Sequence, residues 1–256
     1  MPAITICLAQ SKGGTGKTTS TLNLGAALAE KGHLVLLCDI DQQFNLTTAL
    51  GVDPLILAKN MRHLLTEDKT QATDIIVATH ETGLDLIPAS LELDYAEPAM
   101  PQLAREKVLA KKLAPVKNQY DFILIDTPPY FGTMVVNAMV AADYVLMPVQ
   151  PEPHCVSGLF ALLERLEAVR DNISPNLALL GLFVTLYNKT RASHVQITES
   201  LYRDWPDHMF KTVLRLSARN DRAALEGRSL VSVSPRAELA TDYRQLCEEV
   251  LVRVGR

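Results

Sequence analysis

Residues 10–19 read Gln-Ser-Lys-Gly-Gly-Thr-Gly-Lys-Thr-Thr, and this stretch decides the fold. Residues 4–9 before it are apolar and predict a buried strand. Residues 18–30 after it place Leu22, Leu24, Ala26, Ala27 and Leu28 at helical spacing. A strand, a glycine-rich loop and a helix with Gly-Lys-Thr at the junction form a phosphate-binding loop in its expected context. Gly13, Gly14 and Gly16 carry no side chain, so the backbone N–H groups from Gly13 through Thr19, Thr15 included, can turn inward around a polyphosphate. The helix N-terminus adds partial positive charge. Lys17 is expected to reach the β- and γ-phosphates of ATP, and the Thr18 hydroxyl to bind Mg²⁺.

Outward from the loop, residues 34–39 form a second apolar run, the pattern of a parallel strand covered on both faces. It ends in Asp39-Ile40-Asp41-Gln42-Gln43, and carboxylates at such a strand end lie at the ligand edge of an open α/β sheet. Residues 120–129 supply a third strand, Phe122-Ile-Leu-Ile followed by Asp126-Thr-Pro-Pro. Asp126 is expected to hold Mg²⁺ through water. These strands predict a doubly wound α/β fold, a mostly parallel sheet flanked by helices, as one domain over residues 1–256.

Lys12 is a residue that an ordinary phosphate-binding loop does not require. Lys12-Gly-Gly-Thr-Gly-Lys-Thr resembles the deviant Walker A motif of the ParA/MinD superfamily of P-loop ATPases. The resemblance implies that Lys12 crosses a dimer interface to the partner's phosphates, making Lys12 catalytic together with Lys17 and Asp41. The Asp-x-Asp-x-Gln segment resembles the family's switch, with Asn45, Leu46 and Thr47 continuing it. Asp41 would then orient the attacking water on the magnesium side of the site, and Asp39 would support it. Two positions depart from the family: Gln42 stands where Pro is usual and Phe44 where Gly is usual. A positive φ at Phe44 would be costly. Asp126-Thr-Pro-Pro matches the family's D-x-P-P, and residues 148–152 resemble its segment lining the nucleotide edge and dimer face. Thr185-Leu-Tyr-Asn188 resembles its T-x-x-[DN] element. Asn188 has two readings, an adenine contact or a strand-end turn.

Composition excludes other classes. The chain has 256 residues, 48% apolar, with a net charge of −4, so any nucleic-acid contact must use a local patch. There is no N-terminal signal pattern and no apolar run of roughly 20 residues. Cys7, Cys38, Cys155 and Cys247 form no C-x-x-C pair, which fits a reduced, cytoplasmic compartment.

Residues 187–228 carry eight basic and five acidic side chains, +3 in a chain of −4. That asymmetry is an electrostatic footprint for phosphate-backbone binding, with a solvated face as the alternative. ParA ATPases of the short Soj type, by resemblance, bind DNA without sequence preference through arginines near here. Lys189 or Arg191 fits the first such place and Arg215 the second, while Arg219 and Arg222 stand where the family has Glu-Ala. No operator-binding extension precedes the loop, as in that short class.

Elsewhere, residues 84–89, 143–149 and 177–187 predict strands, and residues 132–142, 156–169 and 235–254 predict helices. Residues 103–116 predict a surface helix with Arg105, Lys107, Lys111 and Lys112 on a solvated face. The stripe Leu239, Tyr243, Leu246, Val250 and Val254 predicts packing on the sheet, and the acids beside it oppose binding to an anionic bilayer. The resemblance implies a cytoplasmic, nucleoid-associated ATPase that dimerises with ATP, binds non-specific DNA, and answers to a ParB-like or cargo-adaptor partner, with no membrane. Rival readings are a MinD-like membrane positioner, an iron–sulfur carrier and an ATP-dependent synthetase.

Overall fold

Every apolar run that flanks a carboxylate or the glycine-rich loop becomes a strand of one sheet. The computed structural model describes the backbone of residues 1–256 and every side chain except those of Asp94, residues 154–157 and Asp221. The strands are β1 (Ile4–Leu8), β2 (Val35–Asp39), β3 (Val77–Ala78), β4 (Leu84–Ile87), β5 (Phe122–Asp126), β6 (Tyr144–Val149), β7 (Ala178–Tyr187) and β8 (Met209–Arg215). Their order is β3-β4-β2-β5-β1-β6-β7-β8. All pairings are parallel except that of the short edge strand β3 with β4.

The helices are α1 (Lys17–Glu30), α2 (Asn45–Ala49), α3 (Met61–Thr66), α4 (Ala96–Ala99), α5 (Val108–Leu113) and α6 (Thr133–Ala141). After them come α7 (Pro153–Asn172), α8 (Ala192–Asp204), α9 (Arg219–Leu225), α10 (Leu230–Val233) and α11 (Glu238–Arg253). Strand side chains alternate between two cores, as the period of two requires. Cys7, Leu36, Cys38, Ile123 and Ile125 face α3, α5, α6 and α7. Ile6, Leu8, Leu37 and Leu124 face α1, α10 and α11. The sheet is therefore doubly wound, as expected.

The chain leaves β1 toward β2 on one side, and β5 and β6 flank β1 on either side. That reversal opens a crevice at the C-terminal end of β1, where open α/β sheets bind ligands. It also fixes neighbours: Asp39 is in register with Asp126, and Leu8 with Asp126 on the other side.

Several expectations are met with small boundary shifts, and α11 does turn Leu239, Tyr243, Leu246 and Val250 into the core. In α7, Leu159, Leu162, Leu166 and Val169 are likewise buried. Cys7, Cys38 and Cys247 are buried free thiols, whereas the Cys155 side chain lies outside the described residues. The helix expected over 103–116 is shorter. Pro115 has no backbone N–H to donate to the preceding turn, and α5 ends at Leu113 between two 3₁₀ turns. Lys112 is not a solvated charge. Its ammonium donates to the carbonyls of Glu67, Asp68 and Thr70 at 2.7, 3.0 and 2.7 Å.

Helix α1 is pressed closely onto the sheet. A Cβ at Gly25 would lie 2.8 Å from Leu37 Cδ2 and 3.2 Å from Leu84 Cδ1. Gly25→Val is expected to destabilise the protein by about 1–3 kcal/mol through overpacking, read as a lower Tm in calorimetry. An unchanged or higher Tm would show that the helix can retreat freely.

Candidate functional site

The residues at the end of β1 form a tight cradle because their backbone visits a region other side chains avoid. Gly14 and Gly16 have φ of 71° and 84°, values that glycine adopts without steric cost. Gly16 precedes the first turn of α1, so the helix's free N–H groups open toward the loop. The loop lines a cavity of about 1190 Å³ together with Thr18, Asp41, Thr185, Leu216 and Tyr243.

Lys17 lies almost wholly buried and folds back over the loop. Its ammonium donates to the Gln10 carbonyl at 3.1 Å and the Lys12 carbonyl at 3.4 Å. Burial lowers its pKa, while Asp126 and Asp41 act in the opposite direction. Thr18 Oγ1 donates to Asp126 Oδ2 at 2.7 Å, which joins the helix start to the end of β5.

Asp39 is fully buried, yet every one of its oxygens is used. Oδ2 accepts from the Thr47 amide at 2.9 Å and the Thr47 hydroxyl at 2.7 Å, and Oδ1 from the Asp41 amide at 3.1 Å. Thr47 Oγ1 accepts in turn from the Ala89 amide at 3.0 Å. Burial pushes the Asp39 carboxyl up to about 6 against these bonds. Asp126 is pushed up to about 8, first by burial and then by the neighbouring Asp39 charge. Asp41 lines the cavity, and its Oδ1 accepts from the Gln43 amide at 3.0 Å. Asp41 and Asp126 thus share the Lys17 ammonium, with Asp39 buried beside them, an arrangement that a further cation would stabilise.

A hydroxyl and a carboxylate 2.7 Å apart are the hard oxygen donors that Mg²⁺ takes. Among the described residues, no group of three or more His, Cys, Asp or Glu is arranged to hold a metal. Mg²⁺ needs no such cage, since it keeps waters and uses one or two carboxylates with substrate phosphates.

The structure brings together Lys17, Thr18, Asp41 and Asp126, but it disperses other expected residues. Lys12 forms an ion pair with Glu152 at 2.8 Å within the same chain. Asn188 closes a turn: its Oδ1 accepts from the Thr190 amide at 2.9 Å and the Thr190 hydroxyl at 2.8 Å. It does not line the cavity, whereas Leu216, Ser217, Ala218 and Asn220 do. Tyr187 pairs with Arg215 in the β7–β8 register, so Lys189 follows the strand end beside Arg215. The Arg215 guanidinium grips buried Asp242 with two bonds of 2.8 Å and touches exposed Glu238 at 2.9 Å. Arg219 and Arg222 are exposed on α9, where Arg222 pairs with Glu226 at 3.2 Å. Arg191 instead acts on Glu152, close to Lys12. Phe44 has φ 43°, so the positive φ that would be costly for a residue with a Cβ is present at this position.

A family model described as an AAA domain matches residues 3–179. The chromosome-partitioning ATPase Soj of Thermus thermophilus is 34% identical over 256 residues, covering 97% of this chain and 96% of that one. The chain belongs to the ParA/Soj family. The same fold is seen in a crystal structure of cobyrinic acid a,c-diamide synthase from Mycobacterium smegmatis with bound ADP and magnesium. That structure has a TM-score of 0.86 and 28% identity over 99% of this chain and 97% of that one. The cell-division ATPase MinD of Pyrococcus furiosus aligns with a TM-score of 0.81 and 25% identity over 97% and 98% of the two chains. These ParA/Soj and MinD likenesses match the resemblance carried by the Lys12–Thr19, Asp39–Gln43 and Asp126–Pro129 motifs.

Sequence reasoning missed Thr47 as the group that satisfies Asp39, since a Thr in a short helix carries no signal of its own. Thr47→Val is expected to cost about 1–3 kcal/mol, because it strips a buried carboxylate and the Ala89 amide of a shared partner. Chemical denaturation would read this as a lower midpoint at constant slope, and an unchanged midpoint would mean that other groups replace the hydroxyl.

Proposed function

We propose that this chain is a magnesium-dependent partition ATPase that dimerises around ATP, binds DNA without sequence preference and positions cargo on the nucleoid. The observation that carries the reading is the convergence of Lys17, Thr18 and Asp41 on one cavity lined by a glycine-rich loop, with Asp126 bonded to Thr18 behind it. Backbone N–H groups of the loop and α1 would hold the phosphates, and Lys17 would leave its carbonyl partners for the β- and γ-oxygens. Thr18 and Asp126 would hold Mg²⁺, which when bound neutralises charge on the phosphate oxygens. Asp41 would orient the attacking water. Magnesium and nucleotide in the fold neighbour from M. smegmatis support the donor assignment.

Lys12 is pinned by a half-exposed ion pair, and such pairs are worth about 0–1 kcal/mol. A partner's phosphates would outbid Glu152 readily, so ATP would close two protomers. Two basic edges, each with Lys189, Arg215, Arg219 and Arg222, would then act on one DNA together, and avidity would make retention nucleotide-dependent. Hydrolysis removes the γ-phosphate and with it the closing contacts. A ParB-like or cargo-adaptor protein would stimulate that step.

The MinD likeness gives the membrane-positioner alternative its support. Against it, α11 spends its apolar face on β8 and α1.

Retention on non-specific DNA, compared with ATP, ADP and no nucleotide across salt, tests the reading. Retention with ATP alone, falling steeply as salt rises, is expected. Equal retention in all three states would remove the switch. Lys12→Ala is expected to abolish the ATP dimer in size-exclusion chromatography, and Asp41→Ala to trap it. A persistent dimer in the first variant, or normal turnover in the second, would overturn the role given to that residue.

A further inference from the structure

The loop that carries Asp41 is held in a conformation that it would not choose. Phe44 sits at φ 43°, ψ 33°, a left-handed conformation that costs an L-residue with a Cβ roughly 1–2 kcal/mol. Such strain persists only where the surroundings over-determine it. Three restraints lie within the loop or beneath it. The Phe44 amide donates to the Asp41 carbonyl at 2.9 Å. The Gln43 amide donates to Asp41 Oδ1 at 3.0 Å. The Phe44 ring packs against the core under the sheet.

The fourth restraint comes from another loop. Tyr130 Oη donates to Gln42 Oε1 at 2.7 Å. Tyr130 lies four residues after Asp126, in the segment that follows β5, and Gln42 adjoins Asp41 in the segment that follows β2. Those strands are neighbours in the sheet, with Asp39 opposite Asp126. The bond therefore ties the loop that carries Asp41 to the segment that follows Asp126 at the end of β5. Tyr130 is 44% exposed and its ring lies over Gly132, where a Cβ would come within 3.2 Å of its Cε2, so the absent side chain leaves the ring its place.

We propose that Tyr130 and Gln42 are a pair of positioning residues that brace the Asp41 loop against the Asp126 loop and so set the rate of ATP hydrolysis. The assignment rests on the ATPase reading given above. Neither residue is a catalytic residue; both act through the placement of Asp41. A group that orients water must be held to a fraction of an ångström, and a strained loop without its cross-tie samples other arrangements. Neither Tyr130 nor Gln42 lines the cavity, although their neighbours Pro129 and Gln43 do, so the brace acts on turnover and not on nucleotide contacts.

The test is a double-mutant cycle on the full chain with Mg-ATP. Tyr130→Phe and Gln42→Ala are each expected to lower kcat about three- to tenfold, the range of one hydrogen bond, with nucleotide Kd unchanged. The double variant should be no slower than the slower single variant, since both remove the same bond. The Tm of each single variant should stay within about 2 °C of the parent, because the bond is exposed. Multiplied losses in the double variant, a shift in Kd in place of kcat, or unchanged turnover in Tyr130→Phe would each overturn the brace. Asp41→Ala separates the two claims. If the parent chain hydrolyses ATP and Asp41→Ala abolishes it while Tyr130→Phe has no effect, the ATPase reading stands and the brace falls. If the parent chain does not hydrolyse ATP, both fall.

Discussion

Three carboxylates and one ammonium, buried at the ends of adjacent parallel strands, are the constraint on which the rest depends. Asp39, Asp41 and Asp126 are all nearly inaccessible, and Lys17 is the cation that shares their space. Charges in such a place are costly unless paired and hydrogen-bonded. The chain answers with local donors: Thr47 and the Asp41 amide for Asp39, Thr18 for Asp126, the Gln43 amide for Asp41. Even so, burial and mutual repulsion raise Asp39 and Asp126 well above the ordinary carboxylate range. The remaining imbalance is what a divalent cation relieves, so the electrostatic frustration of the protein alone and its capacity to bind magnesium are one property.

That constraint also explains the topology around the site. Asp39 and Asp126 meet only if β2 and β5 are neighbours in parallel register, and the glycine-rich loop faces them only if β1 lies on the other side of β5. The connections between these strands put α1 on one face and α3 and α5 on the other. Packing then supplies the free energy that burying the charges consumes. The two cores are layers rich in Ile, Leu and Val, and every strand except the short edge strand β3 feeds both.

What the sequence made legible follows the same physics. β1, β2 and β5 are buried on both faces, so they read as unbroken apolar runs next to their functional residues. β8 was not legible, because it is an edge strand in which charged Lys211 and Arg215 interrupt the apolar residues Phe210 and Leu214. α8 hid for a similar reason: its inward positions include His194 and Thr198, which break a hydrophobic count. Partnerships between distant residues carry no sequence signal at all. Nothing in the motif around Lys12 announces Glu152, and nothing in Phe-Lys-Thr-Val-Leu-Arg announces Asp242. Phe44 lies between these cases: its departure from a family glycine raised the question of a positive φ, and the φ of 43° answers it.

The basic side chains given phosphate roles are not equally available, and burial decides the order. Lys12 is held by a partner that is itself open to water, so releasing it costs little. Arg215 differs. Its bidentate partner Asp242 is buried, and stripping a buried carboxylate of its cation costs about 3–5 kcal/mol. A DNA phosphate is a poor competitor for that grip. The contact of Arg215 Nη1 with Glu238 is another matter, since Glu238 is largely exposed. In the DNA-binding reading, a phosphate would therefore replace Glu238 and leave Asp242 in place. Arg215 would then meet DNA as a fixed fork with one free edge, its orientation already set by α11, and would lose little side-chain entropy on contact. Arg219 and Arg222, exposed on a short helix, would add charge without that pre-organisation.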